Sequence, residues 1–236
     1  MVTPGALRLA ILGTGRMGRE VEASARLHSM EVTACLGRRA LGDPESARAA
    51  LRDADVAIEF TAPDAAVSNI DLCLEAECPV VVGTTGWYDE LEDVSARVIR
   101  RSGGLLWAPN FSLGIAVMKA LCARAGEILR GIDDFDVHLS ETHHATKKDA
   151  PSGTALLLRD TLQGAVKREV EVTSMRIGHV PGRHEVWIDG PYEHVVLTHE
   201  ARSRRVFADG ALRAAAWLRG RTGVFTMDHV ITLERP

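Results

Sequence analysis

Short apolar runs alternate with longer amphipathic stretches through the first half of the chain, and this alternation constrains the fold more than any other feature. The apolar runs have strand length and read as buried strands. They are LRLAIL (7–12), EVTACL (31–36), ADVAIEF (54–60), CPVVVG (78–83) and GLLWAP (104–109). Apolar residues recur at helical spacing between them, over 17–28, 46–52, 65–76 and 88–101. The alternation predicts a parallel sheet covered by helices on both faces.

The pattern changes after about residue 113. A helix is predicted over 114–129, then a strand in FDVHLSE (135–141), then a helix from 153 to about 163. Three later segments alternate like strands that are solvated on one face: EVEVTSMRIG (169–178), HEVWID (184–189) and EHVVLTHEA (193–201). These features indicate an α+β second domain. The remaining tail returns to a helix and a strand, which we expect to complete the first sheet.

Composition and charge exclude several classes of protein. The chain has 46% hydrophobic and 25% charged residues and a net charge of -4, which argues against a nucleic-acid binder. No apolar stretch is long enough to span a bilayer and no signal peptide is evident, so we expect a cytoplasmic protein without a membrane partner. The four cysteines lack CxxC spacing, which predicts free thiols in the core.

A glycine-rich segment, AILGTGRMGRE (10–20), follows the first predicted strand and opens a helix. Gly13, Gly15 and Gly18 form a GxGxxG pattern in the strand-turn-helix context that gives this pattern meaning. The turn allows a pyrophosphate to approach the backbone at the N-terminus of the helix. The sequence therefore predicts a dinucleotide site that includes Thr14 of this loop. The alternative is a turn with only a structural role.

Two further predicted strands end in small and hydrogen-bonding residues. They run into VVGTTGW (81–87) and WAPNFSLG (107–114). Ligands of open α/β sheets bind beyond the carboxyl ends of the strands, so these segments are placed to line a cofactor cleft, although ordinary turns favour the same residues. We predict a Rossmann-like doubly wound parallel sheet over residues 1–112 and 204–236. An α+β domain for substrate binding and oligomerisation is inserted over 113–203.

The segment ETHHATKKDAPSGTA (141–155) concentrates histidines, lysines and a helix start. Pro151 disfavours helix at the preceding residue and Ser152 is a good N-cap, so 142–150 is predicted as a loop. Gly153 and Thr154 then form a first helical turn with free N–H donors for an anion.

Cationic side chains precede that turn on the same loop. Lys147 and the histidines could converge with the turn on one carboxylate, and a histidine there can transfer a proton. A solvated surface loop is the alternative. We predict no metal site, because adjacent histidines in an extended chain point to opposite sides and Asp149 adds only one hard ligand.

The segment 141–155 resembles the substrate-site signature of the dihydrodipicolinate reductase family. GRMG, VGTTG and APNFSLG are similar to the cofactor-loop segments of that family and occur in the same order, and the resemblance covers nearly the whole chain. It implies NAD(P)H-dependent reduction of the dicarboxylate 4-hydroxy-tetrahydrodipicolinate to tetrahydrodipicolinate with loss of water, in lysine and diaminopimelate biosynthesis. It also implies a homotetramer.

The resemblance implies roles for individual residues. His143 corresponds to a general acid/base and Lys147 to a proton donor. The substrate carboxylates would be bound by His144, Ser152, Gly153 and Thr154. The cofactor contacts would come from Arg16, Met17, Gly83, Thr84, Thr85, Ala108, Pro109, Asn110 and Phe111.

The chain departs from the family pattern near the cofactor. Leu12 stands where relatives commonly carry a further glycine, and Gly37 stands where an acidic residue follows the second strand. Because that carboxylate is missing and Arg38 and Arg39 follow, we expect NADPH as the cofactor, with NADH as the alternative. Two other functions stay open: a related dehydrogenase acting on another imine or amino acid, and a catalytically silent nucleotide-binding protein.

Overall fold

The computed structural model describes residues 5–231, which divide into two compact units. Unit 1 comprises the chain up to Phe111 and from Phe207 onward, and unit 2 comprises Ser112–Val206.

The strands are β1 (Leu7–Leu12), β2 (Met30–Leu36), β3 (Val56–Glu59), β4 (Val80–Val82), β5 (Gly104–Trp107), β6 (Asp136–His143), β7 (Glu171–Arg176), β8 (Arg183–Asp189), β9 (His194–Glu200) and β10 (Gly223–Phe225). The α-helices are α1 (Arg16–Ala25), α2 (Arg38–Leu41), α3 (Pro44–Arg52), α4 (Pro63–Glu75), α5 (Leu91–Arg100), α6 (Leu113–Leu129), α7 (Gly153–Val166), α8 (Arg205–Leu218) and α9 (Met227–Ile231). Short 3₁₀ helices cover Arg26–His28 and Tyr88–Glu90.

Unit 1 contains a parallel sheet with the strand order β2-β1-β3-β4-β5-β10. Every residue of β3 and β4 is buried, as expected for strands that are covered on both faces. The core packs apolar side chains of these strands against helices α3, α4 and α5. This confirms the predicted Rossmann-like sheet, and β10 completes it beside β5.

The strand order of unit 1 reverses at β1. The chain moves from β1 to β2 on one side and then crosses to β3 on the other side. Ligands of doubly wound sheets bind at such a switch point, beyond the carboxyl ends of the strands. The residues that follow β1, β3 and β4 are therefore the first place to look for a site in this unit.

Unit 2 contains a mixed sheet with the order β7-β6-β8-β9, in which β6 and β7 are parallel and the other pairs are antiparallel. Burial alternates along β6 and β8, so one face of the sheet is covered. The core lies between that face and helices α6 and α7. The predicted α+β character of this part of the chain is confirmed.

The structure corrects three local predictions. β6 continues through Thr142 and His143, so the loop predicted over 142–150 begins only at residue 144. The short helix α2 was not predicted, because four residues carry no periodicity that a sequence pattern can reveal. Cys35 is exposed, since it lies on edge strand β2, whereas Cys73, Cys78 and Cys122 are buried as predicted.

Within residues 5–231, no helix is long and apolar enough to cross a membrane.

Two glycines of the first turn offer a matched test of packing. A Cβ at Gly18 would lie 1.8 Å from the carbonyl oxygen of Gly13, whereas a Cβ at Gly15 would meet nothing within 4 Å. We expect Gly18→Ala to lower the free energy of unfolding by about 2–4 kcal/mol through overpacking against backbone that cannot move aside. Gly15→Ala should change it by less than about 1 kcal/mol. Urea denaturation measures both values, and equal losses would contradict this packing.

Candidate active site

A cleft of about 330 Å³ opens beyond the carboxyl ends of β1, β3 and β4. It is the first of two regions with features of a site, and it lies within unit 1. The cleft is lined by Gly15, Arg16, Met17, Phe60, Thr61, Pro63, Gly83, Thr84 and Thr85. The structure thus brings the glycine-rich turn together with the segment that follows β4, at the topological switch point of the sheet.

Glycines are required on both sides of Phe60 for this cleft to form. Gly13 has a φ of +103° and a Cβ there would lie 2.1 Å from the Phe60 carbonyl oxygen. A Cβ at Gly83 would lie 2.0 Å from Cε1 of the Phe60 ring. The backbone carbonyl of Phe60 therefore sits directly against Gly13 and its ring directly against Gly83, and a side chain at either glycine would clash with Phe60.

A fully buried carboxylate lies beneath the cleft. Oε1 of Glu59 accepts hydrogen bonds from the backbone N–H of Thr61 (3.0 Å) and from Nδ2 of Asn69 (3.3 Å), and the Thr61 hydroxyl also donates to it. The Thr61 N–H also lies 2.8 Å from Oγ1 of Thr84. Glu59 thus holds Thr61 in place from below, and Thr61 in turn contacts Thr84 on the cleft wall.

The turn at Gly15 fits a pyrophosphate. Open space beside this residue leaves the N-terminus of α1, which is ten residues long, accessible to a ligand.

A second cleft of about 480 Å³ lies beyond β2 and is lined by Gly37, Arg39, Ala40, Asp43 and Ser46. The pKa of the Asp43 carboxyl is lowered by hydrogen bonds from Ser46, so this second cleft holds a carboxylate as well as a guanidinium.

The segment after β5 supports the first cleft from behind. The N–H of Ala108 donates to the carbonyl of Val82 at 3.2 Å, and the Phe111 ring packs edge-on against Phe60 with centroids 6.0 Å apart. Pro109 and Asn110 lie between Ala108 and Phe111 in the chain, and Asn110 also has an interaction partner in the structure.

Sequence reasoning missed Phe60, Thr61 and Pro63 as cleft residues. A signal was available, because these residues follow the third strand of the parallel sheet and must therefore reach the same edge as the residues that follow the first and fourth. The prediction covered only segments in which small and hydrogen-bonding residues stood out.

The second region, in unit 2, begins where β6 ends and α7 starts. Ser152 is the N-cap of α7, as its side chain accepts a hydrogen bond from the N–H of Ala155 at 3.2 Å. A Cβ at Gly153 would meet nothing within 4 Å, so the first turn of this helix is open on that side. An open helix N-terminus favours an anion such as a carboxylate.

On the loop before α7, the side chains of Lys147 and His144 each contact a specific partner. Nζ of Lys147 lies 2.8 Å and 2.9 Å from the two oxygens of Asp149. Burial by itself would raise the pKa of the Asp149 carboxyl, but Lys147 and the charge of Arg176 outweigh it and lower that pKa. Nδ1 of His144 lies 2.9 Å from the Thr146 hydroxyl. The structure therefore places His144 and Lys147 on one short loop close to the start of α7.

A buried cluster lies behind this loop, and we call it the Glu141 cluster: Glu141, His143, Ser152, Arg176 and His184. Oε1 of Glu141 accepts hydrogen bonds from the Ser152 N–H (2.9 Å) and from Nη2 of Arg176 (2.7 Å). Its Oε2 lies 3.2 Å from Nδ1 of His143 and 3.8 Å from Nε2 of His184. Burial by itself would raise the pKa of the Glu141 carboxyl, but these donors outweigh it and hold the pKa well below its usual range.

Burial has the opposite consequence for His184. Desolvation, reinforced by the neighbouring His143, lowers the pKa of His184 from its usual 6.5 to about 4, so this ring is neutral at pH 7. Desolvation also lowers the pKa of His199, which pairs with His184 across β8 and β9.

Three atoms of the cluster could in principle hold a cation. Glu141, His143 and His184 each offer one ligand atom, and these atoms lie within 4.8 Å of one another. The guanidinium of Arg176 already neutralises the same carboxylate at 2.7 Å, which opposes a metal ion electrostatically. The cluster is therefore better suited to hold a proton.

Sequence reasoning also missed Glu141, Arg176 and His184. Glu141 had a signal, because residues two apart on a strand share a face and His143 had already been singled out. Arg176 and His184 had none, since they come from strands whose pairing with β6 could not be derived from one sequence.

The fold and the two regions together define a class of protein. A doubly wound sheet with a glycine turn at its switch point, joined to a domain with a buried acid–histidine cluster, is typical of a Rossmann-type oxidoreductase. Residues 7–111 match the family described as dihydrodipicolinate reductase, N-terminus, and residues 114–231 match dihydrodipicolinate reductase, C-terminus. The chain belongs to the dihydrodipicolinate reductase family, as its sequence motifs predicted.

Individual relatives agree over nearly their full lengths. The chain is 39% identical to a 4-hydroxy-tetrahydrodipicolinate reductase of Haloarcula marismortui, covering 91% of this chain and 94% of the relative. It is 34% identical to the same enzyme of Christiangramia forsetii, over 96% and 98% of the two chains. The fold is similar to that of a dipicolinate-bound dihydrodipicolinate reductase from Paenisporosarcina sp. TG-14, with a TM-score of 0.81, 23% identity and coverage of 96% and 100%.

The neutral, buried state of His184 predicts how stability depends on pH. The unfolded chain binds a proton at this residue below pH 6.5, whereas the folded protein resists it until about pH 4. The contribution of neutral His184 to the free energy of unfolding is therefore complete above pH 6.5 and is lost as the pH falls toward 4. Between pH 7 and pH 5 this loss amounts to roughly 2 kcal/mol of unfolding free energy.

Urea denaturation at both pH values should show the loss in the parent and a smaller one in His184→Gln, which keeps a polar atom near the position of Nε2. His179→Gln, at an exposed histidine of the same unit, serves as the control and should behave as the parent. An equal dependence on pH in all three proteins would refute this role of His184.

Proposed function

We propose that the protein reduces 4-hydroxy-tetrahydrodipicolinate to tetrahydrodipicolinate, with NADPH or NADH as the reductant and with loss of water, in lysine and diaminopimelate biosynthesis. Membership of the dihydrodipicolinate reductase family supports this assignment. Among the structural observations, the one that carries it is the joint placement of an open helix N-terminus, a lysine and a histidine on the preceding loop, and a buried acid–histidine pair. That combination suits a dicarboxylate that must be both held and protonated.

The cleft of unit 1 is the proposed cofactor site. Its open glycine turn suits a pyrophosphate, and the segments that follow β3 and β4 offer threonine hydroxyls and a phenyl ring to the rest of a dinucleotide. When bound, the reduced nicotinamide supplies a hydride to the substrate. Proposed contacts before and within α1 are Gly13, Thr14, Gly15, Arg16, Met17 and Gly18; the others are Arg38, Gly83, Thr84, Thr85, Ala108, Pro109, Asn110 and Phe111.

The region at the start of α7 is the proposed substrate site. The N–H groups of the first turn, at Gly153 and Thr154, would bind one carboxylate, with Ser152 fixing the turn and His144 adding a side-chain donor. His143 would act as general acid/base. Lys147, drawn from Asp149 by the substrate carboxylate, would donate a proton.

We further propose that the two units have separate roles. Residues 1–112 and 204–236 would bind the nucleotide, and residues 113–203 would bind the substrate and form the contacts of a homotetramer. The exposed face of the unit 2 sheet carries the large apolar side chains of Met175 and Trp187, which suits burial against another subunit.

A coupled assay tests the reaction and the proton-transfer residues together. The substrate is generated by dihydrodipicolinate synthase and the nicotinamide absorbance is followed. We expect His143→Ala and Lys147→Ala to lower kcat by roughly 10²–10⁴-fold, the range for a positioned proton-transfer group. Lys148→Ala replaces the adjacent exposed lysine and should leave kcat unchanged. No activity in the parent would refute the reaction, and near-parent turnover in both variants would refute the roles.

Cofactor preference is expected to depend on Arg38. A guanidinium can pair with the 2′-phosphate of NADPH, and charge-assisted contacts are worth about 1.5–3 kcal/mol, so Arg38→Ala should raise the KM for NADPH by roughly tenfold to a hundredfold. The effect should shrink at high ionic strength. Arg39→Ala provides the comparison, because Arg39 lines the second cleft. A strong preference of the parent for NADH, or a KM for NADPH that neither the mutation nor salt changes, would contradict the prediction.

A further inference from the structure

Glu141 stands apart from the residues assigned above, because it is buried and cannot itself reach a substrate. Its side chain has no exposed surface, and it lies two residues before His143 on β6, on the same face of the strand. A buried charge is retained only where donors compensate it, so the position of each donor defines what the carboxylate does.

One oxygen of this carboxylate is fully occupied. Oε1 accepts hydrogen bonds from the Ser152 N–H (2.9 Å), the Ser174 hydroxyl (2.8 Å) and Nη2 of Arg176 (2.7 Å). These donors come from the N-cap of α7 and from β7. With three donors converging on Oε1, the plane of the carboxylate is fixed and Oε2 has a single possible position.

The second oxygen faces two histidine rings, and His143 is the better partner. Nδ1 of His143 lies 3.2 Å from Oε2, and neither atom has another hydrogen-bond partner among residues 5–231. Nε2 of His184 is farther away, at 3.8 Å, and lies 3.4 Å from the Ser152 hydroxyl. The His184 ring is neutral at pH 7. The carboxylate therefore acts chiefly on His143.

An ionised carboxylate that faces Nδ1 determines which nitrogen carries the proton. A bare lone pair on Nδ1 would be repelled by Oε2, whereas an N–H there is attracted, so the neutral ring keeps its proton on Nδ1. Nε2 is then the nitrogen that gains or loses a proton. Gly182 leaves room beside it, since a Cβ at this position would lie 3.1 Å from Nε2.

We propose that Glu141 is a positioning residue for the reductase reaction: its Oε2 holds the His143 ring with Nδ1 protonated, so that the proton exchanged with the substrate moves at Nε2. This inference rests on the role of His143 in the proposed function. When Nε2 gives up its proton, the ring keeps the Nδ1 proton on Glu141, and water returns a proton to Nε2 before the next turnover. A carboxylate orients and stabilises the histidine of serine proteases in the same way.

The charged groups around His143 come from every strand of the sheet and from the loop. Glu141 approaches from β6, Arg176 from β7 and His184 from β8, with His199 beyond it on β9. Lys147 on the loop is paired with Asp149. Among these groups, the one that faces Nδ1 with a negative charge is Glu141.

Glu141→Gln is the informative substitution. The amide oxygen must take the place of Oε1 to accept three donors, so the amide NH₂ replaces Oε2 and faces Nδ1 as a donor. The neutral ring is then forced into the opposite tautomer, and the protonated ring loses its counter-charge. In the full-length protein we expect kcat to fall by roughly 10²–10⁴-fold; the upper value is about the loss that the equivalent change causes in serine proteases. The KM for the substrate and the dissociation constant of 2,6-pyridinedicarboxylate should change by less than about threefold, because the groups that hold the carboxylates are untouched.

The pH profile of kcat provides a readout that a purely structural role would not change. Without the counter-charge, the alkaline limb of the profile should move toward lower pH by about one unit or more. Glu141→Asp keeps the charge and should restore part of kcat. Glu185→Gln makes the same chemical change at a β8 glutamate that pairs with Arg183, and it should leave kcat and its pH profile unchanged. A parent-like kcat and pH profile in Glu141→Gln would overturn the proposal.

A measurement on the parent protein does not depend on whether a variant folds. In the ¹⁵N spectrum of protein labelled at histidine, the signals of His143, identified by their loss in His143→Gln, should show a proton on Nδ1 and none on Nε2 at alkaline pH. The opposite tautomer would overturn the proposal, and so would stoichiometric zinc that occupies Nδ1 after the protein is incubated with Zn²⁺ and dialysed.

If the parent is inactive, or if His143→Ala is as active as the parent, the proposed function fails. If those two results hold and Glu141→Gln is normal, only this inference fails.

Discussion

A carboxylate that is withdrawn from water must be compensated by donors, and for Glu141 these donors come from parts of the chain that are distant in sequence. The N–H of Ser152 at the start of α7 and the side chains of Ser174 and Arg176 on β7 all converge on it. The carboxylate thereby ties the end of β6 to the beginning of α7 and to the neighbouring strand. The loop that carries His144 and Lys147 is anchored at both ends by this one group.

Unit 1 uses a similar device with different chemistry. Glu59 ends β3 and is fully buried, and it accepts hydrogen bonds from Thr61 and Asn69 beneath the cleft. In both units a buried glutamate at or near the end of a strand orders the loop that follows. The difference lies in the other carboxylate oxygen, which in Glu141 faces a histidine and can therefore influence proton transfer.

Much of the fold could be predicted because it depends on local patterns. The first strand was predicted at its observed bounds, and β2, β3, β4 and β5 to within about three residues, since β-rich apolar runs bounded by turn residues depend little on distant contacts. The N-cap at Ser152 was also predictable from its neighbours. The end of β6 was not, because pairing with β7 and β8 extends this strand through His143, and that pairing is a long-range contact.

The sequence by itself determined the glycine turn, the segments that follow the strands and the N-cap of α7, because each depends on residues within one turn or strand of one another. It also carried enough family signature to predict the reaction. Only the tertiary structure decided that Phe60 fills the space between two glycines and that Arg176 and His184 join Glu141 behind His143. The physical reason is that strand order and register bring these residues together, and order and register follow from the packing of the whole sheet, not from any short segment of the chain.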